Sequence, residues 1–176
     1  MELEKAVGIA GRVVQELSPH CERIEVAGSI RRKRPFVHDI DLVCIPSSGA
    51  FVTALQSLGQ LKVGGQKVLR VNLPEMISLD VYVATPSTWA TLLLIRTGSA
   101  KHNVRLCSLA KSKGMRLHAD GSGLFAITTR PVLPYQESMN NLLAIDDEVG
   151  ERIAGDTEES IFAALGRPYK RPEERE

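Results

Sequence analysis

The sequence predicts an α+β fold, a mixed sheet flanked by helices followed by a smaller lobe of helices and a β-hairpin. Three observations carry that prediction: strand-like runs gather between Arg23 and Ala84, the pattern turns helical from Pro86, and glycines or prolines punctuate the changes. The boundary between lobes falls between residues 85 and 86, giving 1–85 and 86–176, and a chain of 176 residues is long enough for one or two lobes with a real core.

Leu3, Ala6, Val7, Ala10, Val13, Val14 and Leu17 recur at helical spacing, so an amphipathic helix is expected to end near Ser18-Pro19. Gly8 and Gly11 weaken it, each by roughly 1 kcal/mol relative to Ala. A strand from Arg23 to Ala27 leads into a Gly28-Ser29 turn, and after a loop through Pro35 a second strand spans Asp39 to Ile45. Ala50 to Leu58 reads as a short helix closed by Gly59, Leu61 to Leu73 as a hairpin turning at Gly64-Gly65, and Met76 to Ala84 as another strand. Beyond Pro86, Thr88 to Ile95 forms a helix broken at Thr97-Gly98, and Ser99 caps a second helix running to Lys113. Val104, Leu106, Leu109 and Ala110 supply its apolar side, while Lys101 and Arg105, one turn apart, make a basic edge. Met115 to Leu117 and Leu124 to Ala126 flank a Gly-rich turn, and Thr128 to Asp147 is polar, with little periodicity. Thr157 to Leu165 makes a last helix ended by Gly166 and Pro168, and the charged tail is expected to pack only through Tyr169.

An apolar fraction of 43% and a charged fraction of 24% are ordinary for a globular protein, and the net charge of +1 hides clusters of basic residues at Arg31–Arg34, Lys101–Lys113 and Arg167–Arg171. Such patches permit nucleic-acid binding without proving it. Cys21, Cys44 and Cys107 lie far apart, which excludes a Cys-x-x-Cys zinc knuckle and indicates no disulfide framework. No run of about 18 apolar residues exists to span a bilayer, and Met1-Glu2-Leu3-Glu4 begins with acid where a signal peptide carries base. An intracellular protein without a membrane partner is expected.

The chemistry concentrates in two neighbouring runs. Side chains alternate across a strand, so Asp39 and Asp41 share a face, and two such close carboxylates are either half-protonated or a divalent-metal site. Upstream, Gly28 lets backbone N–H groups approach a phosphate, and Ser29 and the arginines after it add donors. Taken singly, Asp-x-Asp is common at strand ends and a Gly-Ser turn before four basic residues is usually a solvated turn. Together they suggest a nucleoside triphosphate bridged to the protein by Mg²⁺. Asp80, a lone acid in the apolar run Leu79 to Val83, must be protonated, paired or metal-bound if buried. It becomes the third carboxylate if its strand lies beside that of Asp39, and faces water if its strand is an edge.

With these residues in view the chain resembles the family X DNA polymerases of the nucleotidyltransferase superfamily. The resemblance rests on Gly28-Ser29-Ile30-Arg31-Arg32, Asp39-Ile40-Asp41, Asp80, Thr97-Gly98-Ser99 with His102-Asn103, Gly123-Leu124-Phe125, and the run Pro168 to Arg175. It implies a nucleotidyltransferase palm with the catalytic carboxylates in 1–85, then a thumb-like lobe contacting nucleotide and nascent base pair in 86–176. Asp39 and Asp41 would bind both of two Mg²⁺ ions, with Mn²⁺ as an alternative, and Asp80 the catalytic one. Gly28, Ser29 and Arg32 would hold the triphosphate, Thr97 and Gly98 lie by the sugar, Asn103 reach the base edge, and Lys101, Arg105 and Lys111 line the DNA. The partners implied are primer-template or gapped DNA and a dNTP, handled by a monomer in the cytoplasm at a nucleoid or viral replication site.

Four departures shape these expectations. Ile95-Arg96 stands where many relatives carry Tyr-Phe, which leaves ribonucleotides open as substrates. Ser78 stands where vertebrate members often carry Arg, so Asp80 is expected to lack a nearby cation, and His38 replaces a common Gly. Since the sequence begins almost at the palm, no lyase lobe and no helix-hairpin-helix segments are expected. A gap-filling, repair-like polymerase is the first reading; a template-independent nucleotidyltransferase acting on nucleic-acid ends or a protein, and a DNA-end-binding subunit without catalysis, are the others.

Overall fold

One stripe of the first helix explains where the larger core lies. Ala6, Ile9, Ala10, Val13 and Leu17 of α1 (Leu3–Leu17) are buried, while Gly8 and Gly11 fall on the exposed side, where a small residue has no packing to lose. A computed structural model of the chain describes residues 1–128 and 148–176, so most of the polar stretch from Thr128 to Asp147 lies outside the described residues. After α1 come β1 (Cys21–Val26), α2 (Gly28–Arg31), β2 (Asp39–Pro46), α3 (Ala50–Ser57), β3 (Gln60–Gly64), β4 (Val68–Asn72) and β5 (Ser78–Val83). The five strands form one mixed sheet in the order β1-β2-β5-β4-β3, in which only β2 and β5 run parallel.

Period-two alternation divides β2 and β5 between two layers. Ile40, Leu42, Cys44, Leu79 and Val81 pack with α1 and α3 in the larger core. Val43 and Tyr82 point the other way, against Trp89, Leu92 and Leu93 of α4 (Trp89–Thr97). The aspartates therefore leave the sheet on the α4 side rather than into the aliphatic core.

The rest of the described chain comprises α5 (Ala100–Ser112), β6 (Met115–His118), β7 (Gly123–Thr128), β8 (Glu148–Ala154) and α6 (Glu158–Ala164), with β6-β7-β8 forming a separate antiparallel sheet. Leu94, Leu106, Ala110, Leu124, Ile161 and Phe162 build its core. Ser99 caps α5 by accepting from the His102 amide at 3.2 Å, and Thr157 opens α6 with a capping box to Ser160. Among the described residues, no helix is long and apolar enough to cross a membrane.

Three expectations need correction. The Gly28-Ser29 turn is a single helical turn, α2. Val104 is 64% exposed, because it lies about 200° around the helix from the buried positions 102 and 106. The tail packs through far more than Tyr169: the Arg175 side chain is fully buried against Glu158, and Lys33 and Arg34 pair with Glu173 and Glu176 at 2.9 and 3.0 Å. Charged composition reads as solvated only when no buried counter-charge waits in the fold, and Glu158 is that counter-charge.

Candidate metal centre and nucleotide site

The register of β2 against β5 sets Asp41 directly opposite Asp80, and Asp39 opposite Ser78. Since β5 is an interior strand, Asp80 does not face water from an edge; it is 3% exposed. One oxygen from each of Asp39, Asp41 and Asp80 lies within 4.8 Å of the others. Three hard oxygen ligands that close suit a divalent cation, and the repulsion among them is visible in Asp41. Burial first, and the charges of Asp39 and Asp80 after it, push the Asp41 carboxyl up to about 6. A cation between the acids would reverse that repulsion, so the donor set fits the metal that the sequence motif implies.

Gly28 is glycine for a reason tied to this cluster. Its φ is +58°, and a Cβ there would sit 1.9 Å from Asp41 Oδ2. The bare Cα of Gly28 thus makes room for the Asp41 carboxylate. Ser29 and Arg32 lie beside it, and both hold unpartnered atoms: Ser29 Oγ and Arg32 Nε are buried without a hydrogen bond. The other end of Arg32 donates to the Thr97 carbonyl, and its Nη1 lies 3.0 Å from where a Gly98 Cβ would be, so Gly98 leaves room for the guanidinium. Burial and the charge of Arg34 press the Arg32 guanidinium down from its ordinary range, against the pull of Asp41 and Asp39. Gly28, Ser29, Arg32, Thr97 and Gly98 are therefore brought together with the acids.

Asn103 is one turn into α5, where its Nδ2 donates to the Ile95 carbonyl at 2.8 Å and its Oδ1 is buried without a partner. Lys101, Arg105 and Lys111 are exposed on the same helix. Arg105 donates to the Glu176 backbone carbonyl at 2.9 Å and joins Arg167 and Lys170 at the rim of a groove of about 380 Å³ floored by Phe162 and Leu109. Of the pair that departs from the common aromatic pattern, Ile95 is buried in the second core, and Arg96 stacks its guanidinium 4.2 Å over the Tyr82 ring.

The expectation that Asp80 lacks a cation is overturned. Arg70, on β4 at the ladder position opposite Asp80, forms a bidentate pair with it, Nε to Oδ1 and Nη2 to Oδ2 both at 2.5 Å. The position of Ser78 said nothing about this because the cation arrives from the adjacent strand rather than along the same one. Tyr82 adds a long 3.5 Å hydrogen bond to Asp80 Oδ2, and its own hydroxyl is pushed up to about 12, by burial first and then by the charges of Asp41 and Asp80.

Arg31, Glu158, Tyr169 and Arg175 form a second polar centre that sequence reasoning missed. Arg31 Nη1 donates to Thr97 Oγ1 at 2.8 Å and to Glu158 Oε1 at 2.6 Å; Arg175 Nη2 and Tyr169 Oη reach Glu158 Oε2 at 2.7 and 3.1 Å. These donors hold the Glu158 carboxyl below its ordinary range even though burial, the largest influence on it, pushes upward. The available signal was the motif-like run from Pro168 to Arg175, which had no role attached.

A family model described as DNA polymerase beta thumb matches residues 92–176. The chain is 35% identical over 98 residues to DNA polymerase lambda of Rattus norvegicus, covering 56% of this chain and 15% of that protein. It is 29% identical over 127 residues to the DNA polymerase/3'-5' exonuclease PolX of Bacillus subtilis (strain 168), covering 65% of this chain and 22% of that protein. The chain thus spans less than a quarter of either curated relative. Among solved structures, Leishmania infantum polymerase beta matches in a ternary gap complex with a TM-score of 0.77 and in a ternary P/T complex with 0.75. Both are 23% identical and cover 100% of this chain, and 70% and 76% of those chains. At that identity they establish the α+β fold.

Proposed function

We propose, from the chain's place among the family X DNA polymerases, that it is a template-directed DNA polymerase that extends a primer 3′ end, filling gaps in a repair-like manner as a monomer. The observation that carries the reading is the convergence of Asp39, Asp41 and Asp80 beside the unpartnered Ser29 Oγ and Arg32 Nε. Residues 1–85 act as the palm and 86–176 as the thumb-like lobe, a division supported by the two separate sheets.

Asp39, Asp41 and Asp80 would hold two divalent ions, Mg²⁺ or Mn²⁺. When bound, such ions neutralise the triphosphate and make the attacking hydroxyl a stronger nucleophile. Around them the chain's own groups do the positioning that phosphoryl transfer mostly requires. Ser29 and Arg32 bind the triphosphate through the donors that now lack partners. Gly98 keeps a side chain out of the sugar's space, and Asn103 offers its free Oδ1 and remaining Nδ2 hydrogen to the base edge. Lys101, Arg105 and Lys111 neutralise DNA phosphates. Ile95 turns into the core and Arg96 onto Tyr82, which supports weak selection against the 2′-hydroxyl of a ribonucleotide.

The test is extension on primed, unprimed and gapped DNA with each dNTP and rNTP supplied separately. Addition of only the nucleotide complementary to the template, on primed and gapped DNA, is expected. Addition regardless of template would instead mark a template-independent transferase, and no addition under any condition, with primer ends still bound in a gel-shift assay, would mark a DNA-end-binding subunit.

A further inference from the structure

The reading of the acid cluster as a metal site leaves Arg70 without a task, yet Arg70 is its most tightly engaged neighbour. Both Asp80 oxygens are taken up by the Arg70 fork at 2.5 Å each, while among the described residues no ion pair reaches Asp39 or Asp41. One guanidinium is thus paired directly with one of the three acids, while Arg32 acts on Asp41 and Asp39 through its charge without pairing with either. A divalent ion held by Asp39 and Asp41 need not disturb Arg70. An ion that draws on Asp80 must share an oxygen that Arg70 already engages, and must sit close to a like charge.

The two partners differ in their freedom to respond. The Asp80 side chain is 4% exposed and fixed on an interior strand, whereas that of Arg70 is 49% exposed and can withdraw its head into water on a flexible stem. We propose that Arg70 is a positioning residue that serves as the internal counter-ion of Asp80 in the metal-free chain. It competes with the divalent cation for the Asp80 carboxylate and makes occupation of Asp80 the last step in loading the site. The buried acid is thus never left without a cation, and the complete constellation forms only when a metal displaces the arginine. This inference rests on the metal-site reading and deepens it.

The experiment compares wild type, Arg70→Ala and Arg70→Lys, each titrated with Mn²⁺ in the absence of nucleotide. Free Mn²⁺ is followed by electron paramagnetic resonance, and thermal unfolding is recorded at each concentration. In chelator, Arg70→Ala melts below wild type because Asp80 has lost its counter-ion. Its Mn²⁺ affinity at the Asp80-dependent site rises about tenfold or more, and its melting temperature climbs further with Mn²⁺ than that of wild type. Arg70→Lys, which keeps the charge without the fork, falls between them and covers the case in which the alanine variant fails to fold. Equal Mn²⁺ affinity in all three, with binding still lost in Asp41→Asn, would overturn the role of Arg70 alone. Absence of Mn²⁺ binding to every form would overturn the metal-site reading and this proposal with it.

Discussion

Two polar centres among the described residues are built from the same materials in opposite proportion. At one, among the described residues, only Asp80 of the three acids Asp39, Asp41 and Asp80 is paired with a cation, Arg70. At the other, Glu158 alone is held by Arg31, Arg175 and Tyr169. The difference shows in the pKa directions: Asp41 is pushed up and Glu158 is held down. A centre with its acid fully satisfied from within ties α2 to α6 and the tail, and asks nothing of a ligand. A centre with unbalanced acids is left short of positive charge, which a bound cation can provide.

Substitution should therefore act with opposite sign at the two centres. Asp41→Asn is expected to lower primer extension by a thousandfold or more, about 4 kcal/mol of barrier. The metal-free protein, however, becomes more stable. A carboxyl whose folded pKa is raised to about 6 costs nothing below its unfolded value near 3.8 and its full penalty above about 6. Asn should thus stabilise by about 1–3 kcal/mol at pH 8, and by progressively less as pH falls through that window, in chelator-treated melts. Glu158→Gln leaves Arg31 and Arg175 without their anion and should destabilise by about 3 kcal/mol, read in urea unfolding. If both variants moved stability in the same direction, the contrast between the centres would be lost.

Much of the larger sheet was legible because its signals are local. The apolar stripe of α1 (apart from Val7, which is exposed), the Gly64-Gly65 hairpin and the Asp-x-Asp alternation are all patterns set within a few residues. The pairing of Arg70 with Asp80 was not, since it depends on β4 lying beside β5 in antiparallel register, and a cation was sought two residues away on the same strand. Glu158 and Arg31 are 127 positions apart, so no local pattern relates them. Val104 was misassigned because an apolar residue was counted by type rather than by its angle around the helix.

Two smaller effects sharpen the picture on the α5 side. His102, stacked on Phe162 with ring centroids 5.9 Å apart, is pushed down to about 4 by burial first and then by Arg175, Lys170, Arg105 and Arg32. A lowered folded pKa means that the unfolded chain binds the proton more readily. Stability should therefore fall by about 1–3 kcal/mol as pH drops from about 6.5 to 4, and His102→Gln should flatten that slope in pH-dependent melts. For DNA, Lys101→Ala and Arg105→Ala should each reduce the slope of log affinity against log salt by about one in fluorescence anisotropy, with nucleotide choice unchanged. Unaltered slopes would show that α5 does not face the phosphates.

The most direct measurement is an anomalous difference map from crystals grown with Mn²⁺, a non-hydrolysable dNTP and primed DNA. The account predicts peaks bounded by Asp39, Asp41 and Asp80, with the triphosphate against Ser29 and Arg32 and with Arg70 withdrawn from Asp80. A bound nucleotide with no Mn²⁺ peak among the three carboxylates would contradict it.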